Sequence, residues 1–344
     1  MTKRGFALTA VLAMTLAFPA QAQDRSFTAE GSDAIFAMGA RHIAMGGTGT
    51  STADDALAVF YNPARLAGIR QYSFSGTRQL DATLRPYTFI GGTAPLSFLE
   101  PLGIEATLGV ARYNRVHARS SGAFAENEFE SIFLRYLLPG VSGTFDGDID
   151  SKTLVNRFAL GARFDDLPGL SIGANVDWID CKTNTCGMHA GSHGYEVRTV
   201  HATALSFGVS AAYQVNDRLS LGVNFTDVNT ELTVHATTDD DLGLRVDDFS
   251  VPLPRKLNAE LSYRVNDHLL LAAGYQKFWG TYGNFDLNIE TAHFGAEYES
   301  REGLIWRGGA WMPLDISASN GLNLDVLPFP FAPTIGVGMH EGGF

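Results

Sequence analysis

From Gln71 onward the sequence divides into segments of about ten residues in which every second side chain is apolar, the length and period of a tilted membrane strand. In LSIGANVDWI, Leu170, Ile172, Ala174, Val176 and Trp178 share one face, while Ser171, Gly173, Asn175 and Asp177 share the other. RLSLGVNFTDV sets Leu219, Leu221, Val223 and Phe225 against Ser220, Gly222, Asn224 and Thr226. KLNAELSYRV sets Leu257, Ala259, Leu261, Tyr263 and Val265 against Asn258, Glu260, Ser262 and Arg264, and RFALGARF repeats the pattern. A period of two sustained this often specifies sheet and excludes a helical fold.

The connections constrain the architecture further. Short turns at 165–169, 214–218, 265–268 and 300–303 alternate with long polar connections at 114–152, 181–199, 229–254, 278–289 and 313–331. A soluble sandwich has no reason to place its long loops on every second connection. A transmembrane antiparallel β-barrel does, with short turns at the periplasmic end and long loops outside the cell. About twelve strands are expected between Gln71 and His340, an even number that returns both chain ends to one side. The apolar faces carry Trp178, Tyr213, Phe225, Tyr263, Tyr275, Tyr298 and Trp306, suited to interfacial girdles. The opposite faces carry Arg157, Arg163, Asp177, Glu260, Arg264, Glu297 and Arg307. Each charge would cost on the order of 2–4 kcal/mol toward lipid for Arg, less for the acids, so this set is assigned to the lumen.

The N-terminus supplies the address. Residues 1–22 join a basic head (Lys3, Arg4), an apolar run from Phe6 to Phe18 and an Ala-Gln-Ala exit, which reads as a secretory signal peptide cleaved after Ala22. With Lys3 and Arg4 removed the net charge of −12 becomes −14, and a chain this acidic is a poor partner for nucleic acid. The expected location is the bacterial outer membrane, with membrane lipid and the barrel-assembly machinery as partners.

Residues 23–70 precede the first strand and must be housed; residues 71–344 are assigned to the barrel. Within GARHIAMGGTGTSTADDALAVFYNPARLAG (39–68), Ser51 and Thr52 can cap a short helix, and Asp54 and Asp55 fall in its first turn. Asn62 before Pro63 ends that helix, and Gly46, Gly47 and Gly49 allow tight bends. An N-terminal segment of about fifty residues is a plausible filler for a barrel interior of this size, which makes it a candidate hatch. Its acids are expected to meet lumen arginines such as Arg157, Arg163 or Arg264, with Asn62 satisfying backbone groups at the helix end.

The same stretch resembles the N-terminal hatch of the outer-membrane FadL/PorV-like superfamily, through its AMGG glycine cluster, its ADDA helix start and its NPA motif. HFGAEYESREGLIWRGGAWM (293–312) is similar to that superfamily's GAEY hairpin. The resemblance implies a fourteen-stranded barrel plugged by the hatch. It implies either passive uptake of small hydrophobic molecules, long-chain fatty acids or the like, or a PorV-like accessory role in protein secretion or surface attachment, with a secreted protein as partner. The final TIGVGMHEGGF lacks the alternating aromatic ending of a closing strand. Either twelve strands close the barrel or a last hairpin is missing, and the weak ending favours the second.

Other chemistry finds little support. GGTGTSTADD lacks the third glycine of a dinucleotide fingerprint and the Gly-Lys-Ser/Thr of a P-loop, and no strand precedes it. Cys181 and Cys186, with His189 and His193, faintly imitate zinc spacing. In an oxidising compartment the two cysteines read better as a disulfide closing a small ring, and no metal is assigned. No nucleophile–base set is legible, so no enzyme activity and no cofactor are expected. In the long loop 114–152, Phe124, Phe129, Phe133, Leu137 and Leu138 offer an apolar surface where a ligand can enter.

Overall fold

The computed structural model describes residues 26–32, 37–80, 86–125, 144–182, 186–192, 195–228, 230–240, 249–282, 285–300, 303–318 and 331–339. The expected signal peptide (1–22), Phe129, Phe133, Leu137 and Leu138 lie outside them. A short strand β1 (Ser26–Ser32) and an N-terminal segment (37–72) precede the main sheet. The sheet comprises β2 (Ser73–Leu80), β3 (Pro86–Pro95), β4 (Ile104–Ala125), β5 (Thr144–Phe164), β6 (Leu170–Lys182), β7 (Cys186–Ser192), β8 (Tyr195–Gln214) and β9 (Leu219–Thr226). It continues with β10 (Glu231–Asp240), β11 (Phe249–Pro252), β12 (Arg255–Asn266), β13 (Leu269–Tyr282), β14 (Phe285–Glu299), β15 (Leu304–Ala318) and β16 (Ala332–Met339).

Twelve of these strands follow one another along the sheet, from β2 to β16, with every pairing antiparallel. β7 continues the course of β6, since both lie between β5 and β8, and β10 likewise extends β9 along β8. β2 and β16 do not pair with each other among the described residues.

Several segments read as polar loops belong to strands. β4, β5 and β8 run for 22, 21 and 20 residues, and the β13–β14 ladder persists to Tyr282 opposite Phe285. A strand of about ten residues crosses the bilayer, so these strands project well beyond it. Outside lipid a strand needs its backbone ladder but no apolar face, and the alternation by which sequence reveals a strand is lost there. Phe124 falls near the end of β4, and its side chain, like those of Cys181 and Cys186, lies outside those described.

The polarity of the sheet is inverted relative to a soluble protein. Phe158, Ile172, Trp178, Phe207, Val223, Leu261, Phe294 and Trp306 are exposed, whereas Arg157, Asp177, Asn224, Lys256, Glu260 and His293 are buried. Apolar side chains on the accessible face and charges on the covered one require lipid outside and a filled interior.

Candidate functional site

The N-terminal segment packs against the covered face of the sheet. It forms a helix (Ala40–Ala44), a second helix (Ala58–Tyr61) and a 3-10 turn (Pro63–Gly68). Strands at both ends of the sheet touch it. The Ser75 hydroxyl on β2 donates to Asp55 Oδ2 at 3.3 Å. On β16 the Thr334 hydroxyl accepts from Gly46 N–H at 3.0 Å and donates to Ala44 O at 2.9 Å. The sheet therefore curls round the segment. Wall glycines allow the approach: a Cβ at Gly222 would collide with the Thr50 carbonyl, and one at Gly309 with the Gly46 amide. Gly46 itself sits at φ 68 against the Phe294 and Ala310 backbone, which leaves no room for a side chain.

The glycine-rich stretch does cradle an anion, and the anion is part of the wall. Glu260 on β12 accepts the backbone N–H groups of Gly49 (2.7 Å), Thr50 (3.0 Å) and Ser51 (2.9 Å) and the Ser51 hydroxyl (2.7 Å). Successive amides converging on one carboxylate make a nest, here closed by the protein's own side chain. Ser51 is thus spent on Glu260 and does not cap a helix. The Leu57 amide instead donates to Asp55 Oδ1 at 2.8 Å, just ahead of the four-residue helix Ala58–Tyr61. Burial, first of all, pushes the Asp55 carboxyl upward in pKa.

The predicted pairing of hatch acids with lumen arginines is replaced by other partners. Asp54 meets Arg41 of its own segment at 2.5 Å, and Arg41 forks onto both oxygens of Glu297 at 2.9 Å each. Glu297 also accepts from Arg307 at 2.6 Å, so one wall carboxylate lies between two guanidiniums. Although burial opposes its charge, Asp54 and Glu297 hold the Arg41 guanidinium firmly protonated. Arg157 is claimed by Asp177 on the neighbouring strand (2.7 and 2.6 Å), and its remaining nitrogen donates to the Val59 and Phe60 carbonyls at 3.2 and 3.0 Å. These are carbonyls of the second helix, which favours a cation there. Arg163 lies 3.7 Å from Glu105, which also binds Arg70. Arg264 lines a polar vestibule of about 380 Å³ with Arg41, Asp54, Arg65, Glu297 and Arg307, on the side of the short turns.

Asn62 joins segment to wall. Its amide nitrogen donates to Thr50 O (2.8 Å) and Ala211 O (3.1 Å), and its Oδ1 accepts from Ala64 N–H (3.1 Å), capping the turn that Pro63 opens. On the other flank the His293 ring lies between Gly46 O (2.7 Å) and the Thr291 hydroxyl (2.8 Å). A carbonyl can only accept, so Nδ1 carries the proton and Nε2 accepts from Thr291. His42 is fully buried against the Tyr61 ring (4.4 Å between centroids), and its Nδ1 faces Thr48 O at 2.8 Å. Burial and then the Arg41 charge press its pKa down to about 3, so it is neutral.

Beyond the segment, a pair absent from the sequence reading spans the interior. Arg115 of β4 donates to both oxygens of Asp227, between β9 and β10, at 2.8 and 2.9 Å, and the Ser206 hydroxyl joins them at 2.8 Å. Asp227 adopts φ 61, a left-handed conformation that its short polar side chain tolerates. Beside the segment lies a cavity of about 40 Å³, bordered by Phe60, Tyr61, Tyr113, Asn224, Lys256 and Glu260 among others. Alternation places Asn224 and Lys256 inward. Arg115 fell within a presumed loop, and no sequence signal marked it.

No protein-family model matches the sequence, and no curated protein sequence matches it. Solved structures do. The toluene transporter TbuX of Ralstonia pickettii superimposes with a TM-score of 0.53 at 18% identity, over 81% of this chain and 87% of that one. A deltaS2 mutant of the monoaromatic hydrocarbon channel TodX gives 0.53 at 15% identity, over 89% of each chain. A Pseudomonas aeruginosa FadL homologue gives 0.51 at 14% identity, over 83% of this chain and 80% of that one. The chain shares the fold of these outer-membrane proteins.

Proposed function

We propose that this chain is an outer-membrane channel that admits small hydrophobic molecules by passive diffusion, long-chain fatty acids or compounds of similar character, with its N-terminal segment as the hatch. The observation that carries the reading is the inverted sheet. Its lipid-compatible outside and charged inside call for a polar filler, and the segment supplies one, anchored on Glu260, Glu297, Arg157 and Thr334. The likeness in fold to channels named for toluene and monoaromatic hydrocarbons supports the same class of solute.

Mechanistically, a ligand enters from the side of the long loops and descends to the aromatic cluster of Phe60, Tyr61 and Tyr113, where rings meet edge-on at 4.9 and 5.1 Å. The segment blocks the way onward. Its attachments are mostly backbone amides and carbonyls held by wall side chains, so it can shift without refolding. Deleting the chain from its host should slow uptake of a labelled long-chain fatty acid or monoaromatic hydrocarbon and leave glucose uptake unchanged. Equal rates for every apolar solute with and without the chain would overturn the reading.

A further inference from the structure

The outer face of the sheet meets lipid, so a charge on that face has to be answered by the chain itself or by headgroups. Arg112 of β4 is exposed and alternates with buried Ala111 and Tyr113, which turns it to the same side as the exposed Leu108 and Val110. Its registered neighbours are Ile90 on β3 and Asn156 on β5, and the row continues to the exposed Trp178 on β6. Arg78 of β2 is exposed on the side of Phe74 and registered with Thr88, one outward position beyond Ile90. Among the described residues neither guanidinium has an ion-pair partner. Asp180, outward on β6, is turned to His201 at 3.2 Å. Height matters too. β4 begins at Ile104, registered with Phe164 just ahead of a short turn, and Arg112 lies eight residues on, toward the long connections. At about 3.4 Å per residue and a tilt of about 40° that is a rise of about 21 Å, against an apolar band of about 25 Å. An outward arginine is costly at mid-bilayer but nearly free at this edge, where its head reaches the headgroup layer.

We propose that Arg78 and Arg112 form a seat on the outside of the wall for the phosphorylated headgroup of an outer-leaflet lipid. The planar fork of a guanidinium matches phosphate oxygens two at a time. Strands about 4.8 Å apart, rising about 3.4 Å per residue, set the two Cα atoms about 12 Å apart, so a headgroup bearing two phosphates can offer one to each arginine. The wall supplies its own contrast. Lys277, outward and eight residues into β13, is answered within the sheet by Glu290 of β14 at 2.8 Å, which Asn288 also holds. A cation balanced in this way asks nothing of the lipid, whereas Arg78 and Arg112 are left for it to balance. With a net charge of −12 the chain repels anions in general, so an anionic lipid retained on it is held locally.

The test is native mass spectrometry of the purified full chain in mixed micelles with a diphosphorylated glycolipid of the lipid A type, its dephosphorylated counterpart, phosphatidylcholine, or inorganic phosphate. The parent should retain the diphosphorylated glycolipid at least tenfold more strongly than the dephosphorylated one, the worth of one charge-assisted hydrogen bond. Arg78→Gln and Arg112→Gln should each remove most of that preference, and Lys277→Gln should keep it. If the arginine variants fail to assemble, the lipid series on the parent still decides. Equal retention of the diphosphorylated glycolipid and either its dephosphorylated counterpart or phosphatidylcholine would overturn the inference. An equal loss in Lys277→Gln would overturn it in favour of diffuse surface charge. Inorganic phosphate bound as tightly as the glycolipid would remove the lipid as occupant. The seat lies outside the lumen, so its failure leaves the channel reading untouched, and a chain that carries no solute leaves the seat untouched.

Discussion

Glu260→Gln tests how the N-terminal segment is held. The carboxylate accepts the Gly49 and Thr50 amides on Oε2 and the Ser51 amide and hydroxyl on Oε1, with the Thr52 hydroxyl at 3.5 Å. Glutamine replaces one oxygen with an NH₂ group; turned toward Ser51, it leaves the Ser51 amide facing a donor, while the two hydroxyls can rotate to accept. At least one hydrogen bond to a charged group is then lost, about 1.5–3 kcal/mol for loosening this loop. That corresponds to roughly 10- to 10²-fold in the population of the detached loop. Hydrogen exchange on the purified chain reads it directly. Amides 49–51 should exchange faster by that order, while the β12–β13 ladder, paired through eleven registered positions, should not change. If exchange at 49–51 stays within about threefold of the parent, the nest contributes under 1 kcal/mol and the anchoring argument fails.

Gly309→Ala should displace the segment near Met45 and Gly46 and change the chain's conductance in planar bilayers, whereas Gly308→Ala, whose Cβ would meet nothing within 4 Å, should leave that conductance unchanged. Asp177→Asn breaks a fully buried pair and leaves Arg157 uncompensated. The expected loss is about 3–5 kcal/mol, seen as a lower temperature for loss of the compact form on unboiled gels, and an unchanged transition would refute it. His42 is neutral in the folded chain and titrates near its ordinary value when unfolded, so below about pH 6.5 the unfolded segment binds the extra proton. Stability should therefore fall as pH drops from about 6.5 toward 3, by up to about 1.4 kcal/mol per unit, with Asp55 opposing it at the acid end because its carboxyl is raised. Protection factors at 42–48, with the intrinsic pH dependence of exchange divided out, that do not fall between pH 7 and 5 would contradict this.

The barrel-like sheet was legible because lipid and lumen impose opposite demands on alternate residues, as in LSIGANVDWI and RLSLGVNFTDV. The extensions of β4, β5 and β8 were not, since water makes no such demand on either face. In the interior, the alternation identified which side chains point inward but not whom they meet. Glu260 was placed correctly on the inner face, yet its partners are backbone amides of residues about 210 positions away, and backbone donors leave no mark in a sequence. Arg157 illustrates the same gap. Its nearest carboxylate, Asp177, sits directly opposite on the adjacent strand, so local register decided a contest that the sequence reading gave to Asp54 and Asp55. The AMGG glycines invited a phosphate-loop reading and a bend reading; the structure shows bends, at Gly46 and Gly47 with positive φ, and a nest filled from within.

The proposed function is the passage of apolar solutes across a membrane. The most direct measurement is the initial influx of a labelled long-chain fatty acid and of toluene into liposomes containing the purified full chain, against empty liposomes and against labelled glucose. Influx of at least one apolar solute should scale with the amount of chain and rise in Glu260→Gln, with glucose excluded. Apolar influx equal to that of empty liposomes, in both the parent and the loosened variant, would contradict it.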